Sequence, residues 1–285
     1  MEHVPAIDDV GGASDDAERD LYFDHREFAA RATMEDEHYW HLARRELILE
    51  TVRNVAQRDM RMLEIGCGAG SVATFLNEHG YQVDYGDVHR DALEVARTRA
   101  ADRLGADVRD RRFVRMDVCR DEIPDRYEGI LLLDVVEHLP DDVGALRSVH
   151  RALDRPNAPG FLVLTVPAFP MLWSRYDVVE HHKRRYTKAS ARAALEECSF
   201  EVLRATYFFF PLFFAAGAVK LVRTASNAVR PRAEPEMFTE LVETRSGPTV
   251  KRAMMALLGS ERRLLRRVNL PLGTSLLCVA RVRTP

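Results

Sequence analysis

The sequence predicts an α/β fold: a doubly wound, mostly parallel seven-stranded sheet with helices on both faces, an N-terminal lid helix and a helical insertion before the last strand. Three observations predict it. From Arg61 onward, short apolar runs alternate with helix-period segments, the pattern of strands buried on both faces and joined by helical crossovers. Gly66, Gly68 and Gly70 follow the first such run directly, where an open parallel sheet lets its backbone approach a ligand. The 285 residues, 46% of them hydrophobic, suffice for one large core with a sizeable insertion.

Residues 1–20, acidic and Gly/Ala-rich, lack the basic and apolar regions of a signal peptide and predict a disordered tail. Within 21–60, "MEDEHYWHLARRELILETVRNV" has apolar and aromatic residues at helical spacing and acids at its start, so one lid helix is expected. The core, 61–208, reads in order as strand "RMLEI", helix "SVATFLNEHG", strand "YQVDYGD", helix "RDALEVARTRAADRLG" and strand "RRFVRMD". It continues as strand "GILLLDVV", helix "DDVGALRSVHRAL", strand "GFLVLTVP", a polar loop, helix "KASARAALEECS" and strand "EVLRATYFF". Residues 209–271 form the apolar and basic insertion, and "GTSLLCVARV" within 272–285 rejoins the sheet.

Cys67, Cys119, Cys198 and Cys278 lie far apart without metal-ligand spacing, which points to a reduced, cytoplasmic setting. The net charge of -3 hides an asymmetry: Leu203 to Pro285 holds fourteen Lys/Arg against five Asp/Glu, leaving twenty-seven against thirty-nine elsewhere. A basic C-terminal part on an acidic body suggests an anionic partner or surface.

The glycine spacing narrows the ligand. A nicotinamide or flavin turn takes G-x-G-x-x-G, whereas Ser71 occupies the third glycine position here and the spacing is G-x-G-x-G. Glu64, two residues before Gly66, would repel a pyrophosphate; S-adenosylmethionine, with a sulfonium, an ammonium and no phosphate, tolerates it. Asp87 at the end of the second core strand offers two acceptor oxygens to a ribose diol. Cys67 between two glycines reads as a small filler rather than a reactive thiol.

"LEIGCGAG", "VDYGDVHRDAL", "FVRMDV" and "ILLLDVVEHLPDD", in this order, resemble the four motifs of the class I S-adenosylmethionine-dependent methyltransferases, with their Rossmann-like fold. The resemblance implies a cofactor site of Glu64, Gly66, Cys67, Gly68, Gly70, Asp87, Val88, Asp117, Val118 and Asp134, with Asp117 accepting from the adenine amino group. "EHYWHLARR" and "VPAFPMLWSRYDVVEHHKRRYT" extend it to the bacterial methyltransferase type 12 or family 23 group. That match carries over Trp40, Arg44, Trp173, Asp177, His182, Arg184, Arg185 and Tyr186; Tyr39 beside Trp40 and Phe209 in the apolar run join Trp40, Trp173, Asp177, Arg184, Arg185 and Tyr186 as acceptor-side candidates, and His181 stands where a glycine is common.

Methyl transfer from a sulfonium is an in-line displacement in which alignment supplies most of the rate. A base is needed only when the acceptor must lose a proton, and His138 and His182 are the candidates, against structural roles for both. Arg44 suits the methionine carboxylate of the cofactor or an anionic acceptor, against a solvated helix-face role. Arg184 and Arg185 are placed to clamp a negative group, against an exposed basic loop. Glu180, His181 and His182 lack the spacing of metal ligands, so no metal is expected.

Tyr207 to Val219 is apolar but shorter than the ~18 residues of a membrane-spanning helix, and Pro211 interrupts it. It reads as a buried helix, a wall of a hydrophobic acceptor pocket, or part of a peripheral membrane contact through 207–223 and 261–267 at the inner face of the membrane. The expected activity is methyl transfer to a small-molecule or lipid-like acceptor, oxygen favoured. The chain has no D/N-P-P-Y/F stretch after the fourth core strand, which disfavours nucleic-acid bases. The rivals are an NAD-dependent oxidoreductase, opposed by the glycine spacing and Glu64, and a non-catalytic S-adenosylmethionine-binding scaffold at a membrane.

Overall fold

The computed structural model describes residues 4–10, 25–124, 127–155, 160–218 and 247–283. Its strands are β1 (Ile7–Asp9), β2 (Arg61–Ile65), β3 (Gln82–Asp87), β4 (Phe113–Arg115), β5 (Gly129–Leu133), β6 (Phe161–Pro167), β7 (Phe200–Phe208) and β8 (Ser275–Val282). They form one sheet in the order β1-β4-β3-β2-β5-β6-β8-β7. All pairs are parallel except those of β8, which runs antiparallel between β6 and β7.

The helices are α1 (His25–Glu37), α2 (Tyr39–Arg53), α3 (Ser71–Glu78), α4 (Arg90–Leu104), α5 (Asp142–Leu153), α6 (Arg175–Val179), α7 (Lys188–Glu197), α8 (210–218) and α9 (Pro248–Leu265). Strands β2, β5 and β6 are almost wholly buried because both faces are covered. One face packs Leu47, Ile48, Val52, Leu76 and Leu93 of α2, α3 and α4 against the sheet, with Leu258 and Leu265 of α9 in the same cluster. The other packs Leu146, Val149 and Leu153 of α5 with Ala191 and Leu195 of α7. The carboxyl ends of β2, β3, β5 and β6 therefore open onto the space beneath α1 and α2.

Three expectations are corrected: the strand number, the fully disordered tail and the single lid helix. The sheet has eight strands, not seven, because part of the acidic tail pairs: Ile7, Asp8 and Asp9 lie beside Phe113, Val114 and Arg115. Two aspartates hide this strand from a hydrophobicity reading; Arg112 pairs with Asp8 at 2.5 Å and Arg115 with Asp9 at 3.6 Å, neutralising them at the sheet edge. Residues 1–3 and 11–20 of the tail lie outside the described residues.

The lid is two helices. His38 is extended (φ -80°, ψ 133°), and its Nδ1 accepts from the Trp40 main-chain N–H at 3.3 Å, so it caps α2 and breaks the run. Of the segments read as a membrane contact, Phe209 is buried, Arg262 pairs with Glu46 and Glu50 and Arg266 with Glu50 of α2, whereas Phe214 and Leu264 are exposed. Residues 219–223 lie outside the described residues. Among the described residues no helix is long and apolar enough to cross a membrane.

Candidate active site

A cavity of about 690 Å³ opens at the carboxyl ends of β2, β3 and β5, within the size range of small-molecule sites. The turn after β2 forms its floor. Gly66, Gly68 and Gly70 all take positive φ (72°, 54° and 74°), the left-handed region that favours glycine. A Cβ on Gly66 would lie 2.5 Å from Val135 Cγ2 and one on Gly70 2.8 Å from Ala96 Cβ, so these two are held by packing. A Cβ on Gly68 would meet nothing within 4 Å; Gly68 is the member of the turn with room beside it, and it lines the cavity.

Asp87, at the end of β3, accepts from Gly68 N–H at 2.8 Å with one oxygen and from His89 N–H at 2.9 Å with the other. Each oxygen keeps acceptor capacity, so a buried carboxylate held from two sides faces the cavity ready for a diol. Burial raises its pKa, opposed by His89 and these N–H groups. Asp117 accepts from Cys119 N–H at 2.9 Å and lines the cavity with Val88 and Val118. Glu64 is buried; one oxygen caps α3 by accepting from Ala73 N–H at 2.7 Å, and burial pushes its carboxyl up to about 8. Burial likewise pushes the Cys67 thiol well up, in keeping with a packing role. The wall also carries Glu35 and Asp134. Glu35 is paired with Arg99 and Asp134 with Arg44, so the charge of these two wall carboxylates is met within the protein.

The lid closes through ion pairs that sequence reading missed. Arg99 of α4 binds Glu35 at 2.7 Å and the carbonyls of Ala32 and Ala69 at 2.6 and 2.9 Å, which ties α1 to the glycine turn. Arg31 donates to both oxygens of Glu180 at 3.0 and 3.2 Å, joining α1 to the loop after β6. Phe28, Arg31 and Glu35 line the cavity, but their helix gave no motif by which to find them. Arg44 reaches the site as expected, yet its guanidinium pairs with Asp134 at 2.6 Å, and Asp134 holds a left-handed φ of 58° after β5.

A second cavity of about 110 Å³ adjoins the first. Trp40, Asp134, Tyr176 and His182 line both. Its own walls include Tyr39, Glu137, Arg185 and, from α8, Leu212, Ala215 and Ala216. Phe209 stands behind the wall, its ring 5.4 Å from that of Trp40.

The loop after β6 differs from the expected anion clamp. Asp177, fully buried, binds Arg185 Nε and Nη2 at 2.6 and 3.0 Å and His182 Nδ1 at 2.9 Å, and it closes the capping box of α6 with Ser174. Burial alone would raise the Asp177 carboxyl, but His182 and Arg185 prevail and hold it near 2. Arg184 is taken by Asp142 and by the carbonyls of Leu139 and Pro140, and Tyr186 donates to Asp142 at 2.5 Å. Asp142 and Asp177 thus neutralise the two arginines read as an anion clamp. Arg184, Tyr186 and the half-exposed Trp173 line neither cavity.

His138 and His182 do meet, with ring centroids 4.7 Å apart and edge to face. Burial, and then His182, lower the His138 pKa to about 4, so it is neutral at pH 7. Next to it Glu137 is fully buried, and burial and Asp134 push its carboxyl well above the ordinary range. Sequence reading passed over Glu137 because its neighbour His138 carried the more familiar chemistry.

An open sheet whose first strand ends in a positive-φ glycine turn, with an acid at the end of the second, is the arrangement that the resemblance to the class I S-adenosylmethionine-dependent methyltransferases implies. More particularly, residues 63–158 match the type 12 family model, described as a methyltransferase domain. A ubiquinone biosynthesis O-methyltransferase of Pseudomonas aeruginosa is 30% identical over 102 residues, which cover 36% of this chain and 43% of that protein. The chain thus aligns with less than half the length of that relative. Among solved structures, phosphoethanolamine N-methyltransferase 2 of Haemonchus contortus superposes with a TM-score of 0.52 at 17% identity, over 84% of this chain and 52% of its own. A candidate methyltransferase from Bacillus halodurans superposes with a TM-score of 0.52 at 18% identity, over 83% and 97%. At these identities the structural likeness speaks for the fold.

Proposed function

We propose that this chain transfers a methyl group from S-adenosylmethionine to an oxygen of a small, partly apolar acceptor held in the second cavity. The observation that carries the reading is the shared wall: a cofactor-sized cavity floored by the glycine turn meets a smaller one through Trp40, Asp134, Tyr176 and His182. The residues present fit the cofactor, since Asp87 offers two acceptor oxygens for the ribose diol and Asp117 lines the same cavity as acceptor for the adenine amino group. When bound, S-adenosylmethionine supplies a methyl group on a sulfonium whose departure leaves a neutral thioether.

The chain's own work is alignment and activation. Arg44, Arg31 and Arg99 hold the lid helices over the first cavity, which limits water and fixes the approach from the second. Leu212, Ala215 and Ala216 of α8 give the acceptor an apolar wall. His182 is the side chain we assign to activating the acceptor oxygen: Asp177 accepts its Nδ1–H, which leaves the Nε2 lone pair for chemistry. Oxygen as the acceptor atom is supported by this histidine and by the name of the Pseudomonas relative. With Arg184 and Arg185 paired, an anionic head group is no longer part of the reading.

The test is a methyl-transfer assay following S-adenosylhomocysteine release over a panel of phenols, carboxylic acids and amines. Ala215→Phe fills the second cavity from its α8 wall. We expect turnover of the best hydroxyl acceptor to be lost while affinity for S-adenosylhomocysteine is kept. Undiminished turnover would mean that the acceptor binds elsewhere, and preference for an amine would overturn the choice of oxygen.

A further inference from the structure

We infer that Glu137, His138 and His182 form a binding site for a divalent transition-metal cation at the wall between the two cavities. One ligand atom from each of the three lies within 4.8 Å of the others. Three atoms at that separation have a common centre at most about 2.8 Å from each, against about 2.0–2.2 Å for zinc to nitrogen or carboxylate oxygen, so small side-chain rotations close the site.

Glu137 points to a ligand independently of the clustering. It is fully buried, and among the described residues neither of its carboxylate oxygens has a hydrogen-bond partner. Such a group is costly to bury without compensation. The nearby guanidinium groups do not supply it, because Arg44 is bound to Asp134 and Arg185 to Asp177.

The two imidazoles are prepared in the way metal-binding histidines are. His182 has its Nδ1 fixed by the Asp177 carboxylate at 2.9 Å, the outer-shell arrangement that orients a ligating ring and leaves Nε2 as the donor. His138 hydrogen-bonds the Glu180 main chain, and a neutral imidazole that donates through one nitrogen carries a lone pair on the other. The backbone pins both segments together: Lys183 N–H donates to the Glu137 carbonyl at 2.7 Å, and His182 N–H to the Asp177 carbonyl at 2.8 Å.

Two nitrogens and one carboxylate suit zinc, cobalt(II), manganese(II) or iron(II) rather than calcium or magnesium, whose sites are built of oxygens. Three protein ligands leave coordination positions toward the second cavity, where Glu137 and His182 form part of the wall. This rests on the reading of that cavity as the acceptor site: a bound cation would orient an acceptor oxygen and favour its deprotonated form, and His182 would then act through the metal.

The experiment uses the tag-free 285-residue chain, stripped with a chelator, titrated with cobalt(II) and read by visible absorption, with zinc(II) bound after desalting counted by elemental analysis. We expect one cation per chain and at least a tenfold loss of affinity in both Glu137→Gln and His138→Ala. Affinity for S-adenosylhomocysteine, measured on the same samples, shows that the variants are folded. Asp87→Asn should do the reverse, weakening S-adenosylhomocysteine and sparing the metal, so failure of the cofactor reading and failure of this inference separate. Absence of stoichiometric binding, or binding unchanged in both Glu137→Gln and His138→Ala, would overturn it.

Discussion

Replacing Gly66 and Gly68 singly by alanine separates the packing of the glycine turn from its ligand-facing role. Both positions have positive φ, 72° and 54°, and alanine there costs roughly 1–2 kcal/mol of conformational energy. At Gly66 the added Cβ also meets Val135 Cγ2 at 2.5 Å, far inside contact distance, which adds the roughly 1–3 kcal/mol of an overpacked core. The expected loss is therefore about 2–5 kcal/mol for Gly66→Ala and about 1–2 kcal/mol for Gly68→Ala, read as urea midpoints at constant slope. Calorimetry should rank them oppositely: with no protein atom within 4 Å of its new methyl, Gly68→Ala intrudes on the cavity and weakens S-adenosylhomocysteine at least tenfold for its small stability cost. If Gly68→Ala proved as destabilising as Gly66→Ala and bound the ligand normally, the open side of Gly68 would not be the cofactor side.

Other outcomes follow from the buried ion pairs. Asp177→Ala strands Arg185, whose side chain is only 4% exposed, and should cost about 3–5 kcal/mol in a denaturant melt; Asp177→Ala with Arg185→Met should recover much of it. No recovery in the double variant would mean that Asp177 acts mainly through the α6 cap. Glu261 caps α8 by accepting from Phe209 and Phe210 N–H at 2.5 and 3.0 Å, and burial pushes its carboxyl up to about 7. A carboxyl raised on folding stabilises while protonated, so its contribution is full below about 4.5 and lost as pH rises through about 7, up to about 3 kcal/mol at about 1.4 kcal/mol per pH unit. Glu261→Gln should flatten the fall in stability between pH 5 and pH 8; an unchanged slope would assign that fall to other groups.

The core from β2 to β8 was legible because its strands are buried on both faces and its helices carry their period openly, so each apolar run in 61–208 met its element within a few residues. The edge strand β1 was not, since its stability comes from arginines more than a hundred residues away that neutralise Asp8 and Asp9. The break at His38 depends on one side-chain hydrogen bond, which a periodicity over the whole lid averages away. In the candidate site, the gathering of Gly66, Gly68, Asp87 and Asp117 around one cavity could be read because glycine spacing and strand-end acids are local patterns. The pairings of the loop after β6 could not: that Arg184 serves Asp142, that Arg185 serves Asp177, and that His182 comes close to Glu137 and His138 are tertiary facts. A run such as "HHKRRYT" looks like free charge until its partners are in place.

Titration calorimetry of the 285-residue chain with S-adenosylhomocysteine and, separately, with NADH decides between a sulfonium cofactor and a dinucleotide. We expect one S-adenosylhomocysteine per chain, no measurable heat with NADH, and an affinity lower by roughly ten- to a hundredfold in Asp87→Asn, the equivalent of about 1.5–3 kcal/mol for a charged hydrogen bond. Tight binding of NADH, or indifference of S-adenosylhomocysteine to the loss of Asp87, would contradict that expectation.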